Sequence, residues 1–127
     1  MPVSGLPPYD DTNVFAKILR GDLPSLRLYE DDYAIAFRDI APQAPEHILI
    51  IPRGRYCSLA DFVAGASDAE IGGFWRAVGH VGHRFEAEGY RALTNVGVLA
   101  GQEVPHFHVH VFAGRALGPM LTAVAVE

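Results

Sequence analysis

Cysteine and long apolar runs are scarce in this sequence, and each scarcity excludes a class of protein. The single cysteine, Cys57, cannot form a disulfide within the chain, which fits a reducing compartment. We interpret it as a small packed thiol rather than a nucleophile, because no surrounding motif supports cysteine catalysis. The first residues lack the charged and apolar regions of a signal peptide, and no apolar run approaches the length of a membrane span. We therefore expect a cytoplasmic protein with no membrane partner.

Positive charge is also in short supply. Ten Lys and Arg residues stand against fifteen Asp and Glu residues, which gives a net charge of −5. Such a chain has no overall attraction for nucleic acid, although a local pocket could still bind a small phosphorylated ligand. The length of 127 residues, half of them hydrophobic, predicts one globular domain. Residues 1–12 are predicted to form an N-terminal tail and residues 13–127 the domain.

The chain alternates between helix and strand signals. Polar residues at 11–13 can cap a short helix that ends at Gly21, and a capping box at 67–70 begins a long helix that reaches Gly89. Strands are predicted at residues 27–29, 33–38, 47–52, 91–96 and 104–112, a further helical segment at 56–63 and an apolar tail at 120–126. We therefore predict an α+β fold with about five antiparallel strands, one long helix and one short helix.

Three histidines alternate with apolar residues towards the end of the chain. His106, His108 and His110 are interleaved with Phe107 and Val109, and this alternation predicts a β-strand with the imidazoles on one face. Imidazoles at this spacing can bind a metal ion, or they can form a phosphate-binding and nucleophilic surface. An edge strand that exposes histidines without a function is a third interpretation, although chance explains three in five positions poorly. The spacing alone leaves these alternatives open.

Motifs around the histidines occur in an order known from one protein family. They are FAKILRGDLP at residues 15–24, YEDD at 29–32, AFRDIAPQAPEHI at 36–48, NVG at 95–97 and GQEVPHFHVHVF at 101–112. In order and separation these motifs resemble the histidine triad (HIT) family, over roughly residues 13–116. Asn95 resembles the Hint-like branch rather than the Fhit-like branch, which favours glutamine at that position. The resemblance implies a HIT-like fold.

The resemblance also implies a hydrolase or transferase that acts at the α-phosphate of a nucleotide. His108 would attack phosphorus and form a nucleotidyl-histidine that water then cleaves. His106 and His110 would orient His108 and bind phosphate oxygens, with His47 supporting them from the adjacent strand. In the Hint-like branch the substrate is a purine nucleoside phosphoramidate or a related nucleotide. The mechanism requires neither a metal nor another cofactor.

Nucleotide-binding residues follow from the same resemblance. Those implied to bind a purine nucleotide such as AMP are Phe15, Ile18, Phe37 and Leu49 at the base, Asp39 at the ribose diol, and Asn95, Gly101, Gln102 and Glu103 around the phosphate. Backbone amides of the Gly101 loop would donate hydrogen bonds where negative charge develops. Core packing is the alternative for Phe15 and Ile18, and turn capping is the alternative for Asp39.

Two features depart from the family pattern. Many bacterial relatives have a Cys-x-x-Cys motif for structural zinc at the start of the first helix, where this chain has Asn13 and Ala16. Arg55 stands where a histidine ligand would be expected, so we predict no metal. Glu103 replaces a common serine, which leaves the chemistry of the leaving group open.

Other functions and the assembly state are also considered. A dinucleoside polyphosphate hydrolase would use the same histidines with a different leaving group, and a nucleotide-binding regulatory module would bind with little turnover. The long helix and the strand at residues 91–96 contain more apolar surface than a small domain covers alone. HIT relatives pair to extend their sheets, so we expect a homodimer.

Overall fold

A five-stranded antiparallel sheet lies at the centre of the computed structural model, in which residues 1–122 are described. Its strands are β1 (Arg27–Glu30), β2 (Ala34–Arg38), β3 (Glu46–Pro52), β4 (Arg91–Leu93) and β5 (Val109–Ala113). They lie in the order β1-β2-β3-β5-β4, and each neighbouring pair is antiparallel. The predicted α+β fold with five antiparallel strands is confirmed.

Three α-helices occur among the described residues: α1 (Val14–Arg20), α2 (Leu59–Gly65) and α3 (Asp68–Gly82). The expected long helix is α3, which ends at Gly82 instead of Gly89 and tightens into a 3₁₀ turn at His83–Phe85. The sheet is therefore accompanied by two short helices rather than one. The second short helix, α2, begins at Leu59 because Ser58 and Asp61 form a capping box just before it.

The sheet buries both of its faces, and this decides where the histidines lie. On one face, α2 and α3 pack against alternate residues of the central strands, including Ile48 of β3 and Val111 of β5. On the other face, α1 packs against Leu49 and its neighbours. Side chains alternate between the two faces along a strand. His47 is two residues from Leu49 and so lies on the same face as Leu49, whereas His110 is next to Val111 and so lies on the face opposite to Val111. His47 and His110 therefore lie on the α1 face.

The first twelve residues form no helix or strand, yet they contact the domain. Val3 N–H donates a hydrogen bond to the carbonyl of Gln102 at 2.7 Å. The Ser58 hydroxyl donates to the carbonyl of Gly5 at 2.7 Å, and Gly5 is buried. These bonds attach the N-terminal segment to the loop before the histidines and to the start of α2.

The described part of the chain ends at residue 122, so most of the apolar tail predicted at residues 120–126 lies outside it. Within residues 1–122, no helix has both the length and the apolar character needed to cross a membrane.

Candidate active site

His47 and His110 are positioned by strand pairing. In the ladder between β3 and β5, Leu49 lies opposite His110 and His47 lies opposite Phe112. This register brings Nε2 of His47 to 2.9 Å from Nδ1 of His110, a hydrogen bond between the two rings. Nδ1 of His47 accepts a hydrogen bond from the peptide N–H of Gln43 at 3.2 Å.

These contacts assign a proton to each ring. A peptide N–H can only donate, so Nδ1 of His47 presents its lone pair to Gln43 and the proton of the neutral ring lies on Nε2. That proton is donated to Nδ1 of His110, which must then be unprotonated. The proton of neutral His110 therefore lies on Nε2, and this N–H is a hydrogen-bond donor.

His106 and His108 are positioned differently from the prediction. The predicted strand over residues 104–112 begins only at Val109, so of the three triad histidines His110 alone lies within β5. The preceding residues are fixed by hydrogen bonds that do not belong to the sheet: His106 Nε2 to the Pro52 carbonyl at 3.0 Å, Phe107 N–H to the Tyr56 carbonyl at 2.8 Å and the Thr94 hydroxyl to the His108 carbonyl at 2.6 Å. These bonds replace the ladder bonds that the alternation predicted.

Neutral His108 is the other tautomer from neutral His110. Nδ1 of His108 lies 2.7 Å from the carbonyl oxygen of His106, which can only accept, so the proton lies on Nδ1. Nε2 of His108 is consequently left with a free lone pair. The His108 side chain lines a cavity together with His110, and their ring centroids are 5.0 Å apart.

Burial keeps the four histidines neutral. It lowers the pKa of His106 and of His110 to about 4, and in His110 the neighbouring rings His108 and His47 lower it further. Burial also lowers the pKa of His108 and of His47, an effect that the carboxylate of Asp39 partly opposes. A neutral imidazole has a lone pair on one ring nitrogen, and this is the form in which histidine can act as a nucleophile or general base.

An apolar cavity of about 640 Å³ lies between α1 and the sheet. Phe15, Ile18, Phe37 and Leu49, which were predicted to bind the base, all line it. The ring of Phe15 also contacts His108 edge-on, with ring centroids 5.0 Å apart. An apolar cleft of this size beside a few polar groups is typical of a small-molecule site.

A second cavity of about 220 Å³, the histidine cavity, is lined by His108 and His110. It shares Phe15, Asp39, Leu49, Glu103 and Val104 with the apolar cavity, so the two form one continuous cleft. Asp39 lies at this junction, with Oδ2 3.4 Å from Nε2 of His47 and Oδ1 accepting from the peptide N–H of Ala41 at 2.8 Å. The bond to Ala41 is the turn capping that was the alternative for Asp39, and its role at a ribose diol stays a prediction.

Comparisons with known proteins show the family to which this chain belongs. The family model described as HIT domain matches residues 20–117. The chain belongs to the HIT family. An uncharacterised 13.2 kDa HIT-like protein of Azospirillum brasilense is 57% identical over 116 residues, 90% of this chain and 95% of its own length. The purine nucleoside phosphoramidase of Escherichia coli strain K12 is 40% identical over 113 residues, 87% of this chain and 94% of that protein.

Solved structures agree with this family assignment. A HIT family hydrolase from Clostridium thermocellum is 36% identical, with a TM-score of 0.76 over 89% of this chain and 99% of that one. The predicted HIT-like fold is confirmed, and the relatives identify the chain as a HIT-family hydrolase.

In this HIT domain, two loop amides that were expected to face a phosphate bind within the loop instead. The peptide N–H of Gly101 donates to the Val98 carbonyl at 3.0 Å, and that of Gln102 donates to the Gly97 carbonyl at 3.1 Å. Gly101 has φ +83°, a left-handed conformation that glycine adopts without strain. The tight turn uses both of these amides, and the expectation that backbone amides of this loop donate to a phosphate stays a prediction.

The side chain of Gln102 is bound within the protein. It is 1% exposed, and its amide nitrogen donates to the carbonyls of Cys57 at 2.7 Å and Val104 at 3.0 Å. Its amide oxygen accepts from the peptide N–H of Gly97 at 3.0 Å. All three bonds hold the loop in place, and Gln102 also lines the histidine cavity. Its predicted role in nucleotide binding stays a prediction.

Asn95 and Glu103 both line the histidine cavity, but they differ in burial and in the second cavity that each of them lines. Asn95 is half-buried and also lines an adjoining cavity of about 300 Å³ that contains Arg91 and Arg115. Glu103 is exposed and lines both the histidine cavity and the apolar cavity. A bound nucleotide that spans the cleft would therefore pass the Glu103 carboxylate.

The residues at which the resemblance led us to consider a structural zinc make other contacts here. The Asn13 side chain caps α1 by accepting from the peptide N–H of Ala16 at 2.9 Å, and Ala16 is buried. Arg55 forms two hydrogen bonds to the carboxylate of Asp11, at 3.0 and 2.7 Å. Amide, methyl and guanidinium groups are not zinc ligands of the usual kind, so these residues do not fit a structural zinc.

A different group of residues could approach a metal. One ligand atom from each of Asp39, His47 and His110 lies within 4.8 Å of the others. This grouping differs from a metal site formed by the three triad histidines, because both ring nitrogens of His106 are hydrogen-bonded elsewhere, to Pro52 and to Tyr9. Two of the three candidate ligand atoms, His47 Nε2 and His110 Nδ1, also bind each other. The geometry therefore favours a hydrogen-bonded relay.

Cys57 is buried, and burial together with Asp61 raises the pKa of its thiol to about 11. A thiol with this pKa stays protonated at neutral pH, which agrees with the interpretation as a packed residue.

Tyr9, Gln43 and Thr94 were missed by sequence reasoning although each contacts a histidine or its backbone. Tyr9 lies 97 positions from the histidine that it binds. Neither apolar periodicity nor local motifs report contacts over such a separation. The motif AFRDIAPQAPEHI contains Gln43, but its role depends on a backbone N–H, which no side-chain pattern reveals.

Proposed function

We propose that this protein hydrolyses purine nucleoside phosphoramidates at the α-phosphorus, with His108 as the nucleophile. The observation that supports this most directly is that two neighbouring neutral histidines carry their protons on different ring nitrogens. His108 presents a lone pair on Nε2, whereas His110 presents an N–H on Nε2. A nucleophile beside a donor is the arrangement needed to attack phosphorus while binding one of its oxygens.

The reaction has two steps. First, the Nε2 lone pair of His108 forms a bond to phosphorus while the phosphorus–nitrogen bond of the substrate breaks, and the leaving nitrogen takes up a proton from solvent as it departs as an amine. Second, water attacks phosphorus and gives up a proton to solvent, the bond to Nε2 breaks, and the nucleoside monophosphate leaves with His108 neutral again. Throughout, the Nε2–H of His110 donates to a non-bridging oxygen, and His47 keeps that proton in place.

The cleft supports an arrangement for the rest of the nucleotide. The base would lie among Phe15, Ile18, Phe37 and Leu49, and the ribose hydroxyls would bind Asp39 at the junction of the two cavities. The phosphate would then lie in the smaller cavity beside His108. This order along the cleft matches the order of groups in a nucleoside phosphate.

Incubation with adenosine 5′-phosphoramidate tests the proposal. AMP release is expected, and mass spectrometry after an alkaline quench should find adenylate on the peptide that contains His108. An adduct on another residue would reject His108 as the nucleophile. AMP binding without release would favour a regulatory module, and faster cleavage of diadenosine polyphosphates than of the phosphoramidate would favour that alternative substrate.

We also propose that two copies pair through β4 and α3. β4 is an edge strand of only three residues, and Trp75 on α3 is 39% exposed. Gly72 and Gly79, which share the face of Trp75, have open space around them.

Sedimentation at micromolar concentration should give twice the mass of the chain. Gly79→Arg should dissociate the pair, whereas Ala64→Arg on the exposed surface of α2 should not, and a single-chain mass for the wild type would reject the dimer.

A further inference from the structure

Tyr9 reaches from the N-terminal segment to the first histidine of the triad. Its hydroxyl oxygen lies 2.5 Å from Nδ1 of His106, and the two rings meet edge-on with centroids 5.6 Å apart. Both residues lie within the protein: His106 is fully buried and Tyr9 is half-buried. Residue 9 lies outside the part of the chain that matches the HIT domain model, residues 20–117.

The direction of this hydrogen bond follows from the other contact of the ring. Nε2 of His106 lies 3.0 Å from the carbonyl oxygen of Pro52, which can only accept, so the ring proton lies on Nε2. Nδ1 is therefore bare, and the Tyr9 hydroxyl must donate to it. Burial raises the pKa of the Tyr9 hydroxyl, which keeps this donor protonated.

His106 in turn positions the nucleophile. Its backbone carbonyl accepts the Nδ1 proton of His108, and this bond leaves Nε2 of His108 free to attack. The ring of His106 is held between Tyr9 and Pro52, so it has no second orientation that satisfies both partners. Because the ring is fixed, the backbone of His106 is restrained as well. The His106 carbonyl oxygen, which accepts from Nδ1 of His108, is therefore held in place.

We propose that Tyr9 is a positioning residue for the hydrolytic reaction: its hydroxyl locks His106, and His106 orients His108. The assignment rests on the proposed function for its effect on turnover, but the hydrogen bond itself does not.

Charged neighbours hold Tyr9 in place. The guanidinium carbon of Arg55 lies 5.2 Å from the centre of the Tyr9 ring, a cation–π contact. Arg55 is itself fixed by its two hydrogen bonds to Asp11. Arg55 therefore links the Tyr9 ring to the carboxylate of Asp11.

Tyr9→Phe removes the hydroxyl and keeps the ring under Arg55, so it tests the hydrogen bond alone. Tyr29→Phe is the matched control, because the Tyr29 hydroxyl donates to Asp31 at 2.7 Å, in the hairpin of β1 and β2. With adenosine 5′-phosphoramidate, Tyr9→Phe should lower kcat about five- to tenfold, the size expected for one lost hydrogen bond in a buried network, and leave KM within about twofold. Tyr29→Phe should match the wild type.

Nitrogen NMR supplies a readout that a purely structural role would not move. Wild-type His106 should show its proton on Nε2 at pH 7, and in Tyr9→Phe the Nδ1 resonance should move towards that of an unbonded ring nitrogen. Protonation at Nδ1 in the wild type would overturn the proposal, as would a kcat of Tyr9→Phe equal to that of Tyr29→Phe. A wild type without phosphoramidate turnover would reject the proposed function, while the nitrogen resonances would still decide whether Tyr9 holds His106.

Discussion

His47 and His110 are held by the sheet, whereas His106 and His108 are held by hydrogen bonds from distant parts of the chain. The first pair belongs to β3 and β5, where the ladder fixes the backbone and one ring–ring bond fixes the side chains. The second pair depends on Pro52, Thr94 and the N-terminal segment for its geometry. The same cleft therefore combines a sheet-held half with a loop-held half.

The difference teaches where the site is vulnerable. In a ladder, many backbone bonds share the task of holding one residue, so no single side chain outside the site is essential. In the loop-held half, one hydroxyl or one amide holds each element, and losing it leaves a buried partner unsatisfied. We expect remote substitutions to act mainly on His108, which belongs to the loop-held half and is proposed to perform the reaction.

The largest effect is expected from His108→Asn. The asparagine amide can still donate to the His106 carbonyl, so the loop should keep its shape, but no nucleophilic nitrogen remains. Phosphoramidate hydrolysis should fall by more than about a hundredfold, while AMP binding measured by calorimetry stays close to that of the wild type. Turnover above about a hundredth of the wild-type rate would reject His108 as the nucleophile.

A large loss of stability is expected from Gln102→Leu. The substitution keeps the volume of the side chain but removes its three hydrogen bonds to the loop and to Cys57. The free energy of unfolding in urea should fall by roughly 2–3 kcal/mol, because buried carbonyl and N–H groups lose their partners. Gln43→Leu, at an exposed position whose backbone makes the contact, is the control and should change stability by less than about 0.5 kcal/mol.

Thr94→Val tests the loop-held half directly. Valine has nearly the shape of threonine but cannot donate to the carbonyl of His108. We expect kcat to fall about three- to tenfold with little change in KM, since the backbone that presents the nucleophile loses one bond. Thr12→Val removes an exposed hydroxyl that binds Asp10 and should have no such effect. Equal rates for both variants would mean that the bond from Thr94 does not position His108.

The pH dependence follows from the lowered histidine pKa values. A lowered pKa keeps the ring neutral at acidities where free histidine is already protonated, so a nucleophilic His108 should stay active below pH 6.5, the pKa of free histidine. The acid limb of kcat/KM should therefore lie below that of free histidine, measured with a substrate whose leaving group does not titrate in this range. An acid limb at or above pH 6.5 would contradict burial as the dominant influence on His108.

The smallest effect is expected from Glu103→Ser. A carboxylate beside the phosphate path disfavours a second nucleotide as leaving group and favours a basic amine, but solvent screens an exposed side chain. The ratio of kcat/KM for dinucleoside polyphosphates to that for amine-bearing phosphoramidates should rise about two- to fivefold. If the ratio is unchanged, Glu103 has no part in selecting the leaving group.

Sequence reasoning was most successful where geometry is local. The motif order predicted the fold, and α1 and β3 bring Phe15, Ile18 and Leu49 to one cavity as the resemblance implied. The alternation of histidines predicted a strand through His106, but the sheet pairs only from Val109 onwards, because partners outside the sheet take the preceding groups. An alternation of polar and apolar residues indicates which side chains face the core. It does not reveal which group forms a hydrogen bond with a given histidine.

The contacts that complete the site could not be predicted because they join distant segments. Tyr9 lies in residues assigned to the tail, and only the folded chain shows that its hydroxyl meets His106. Gln102 belongs to a motif that suggests phosphate binding, yet its burial and its three partners depend on where α2 begins. Such roles depend on tertiary placement rather than on the types of neighbouring residues.

Phe15 gives the cleft a property that neither cavity has alone. Its ring is a wall of the apolar cavity and also meets His108 edge-on, so one side chain contacts both the proposed base site and the proposed nucleophile. A movement that a base imposed on this ring would reach the imidazole, which would link the free energy of base binding to the orientation of Nε2 of His108. Selectivity between bases would then be expressed in turnover as well as in affinity, and the two could not be altered independently at this position.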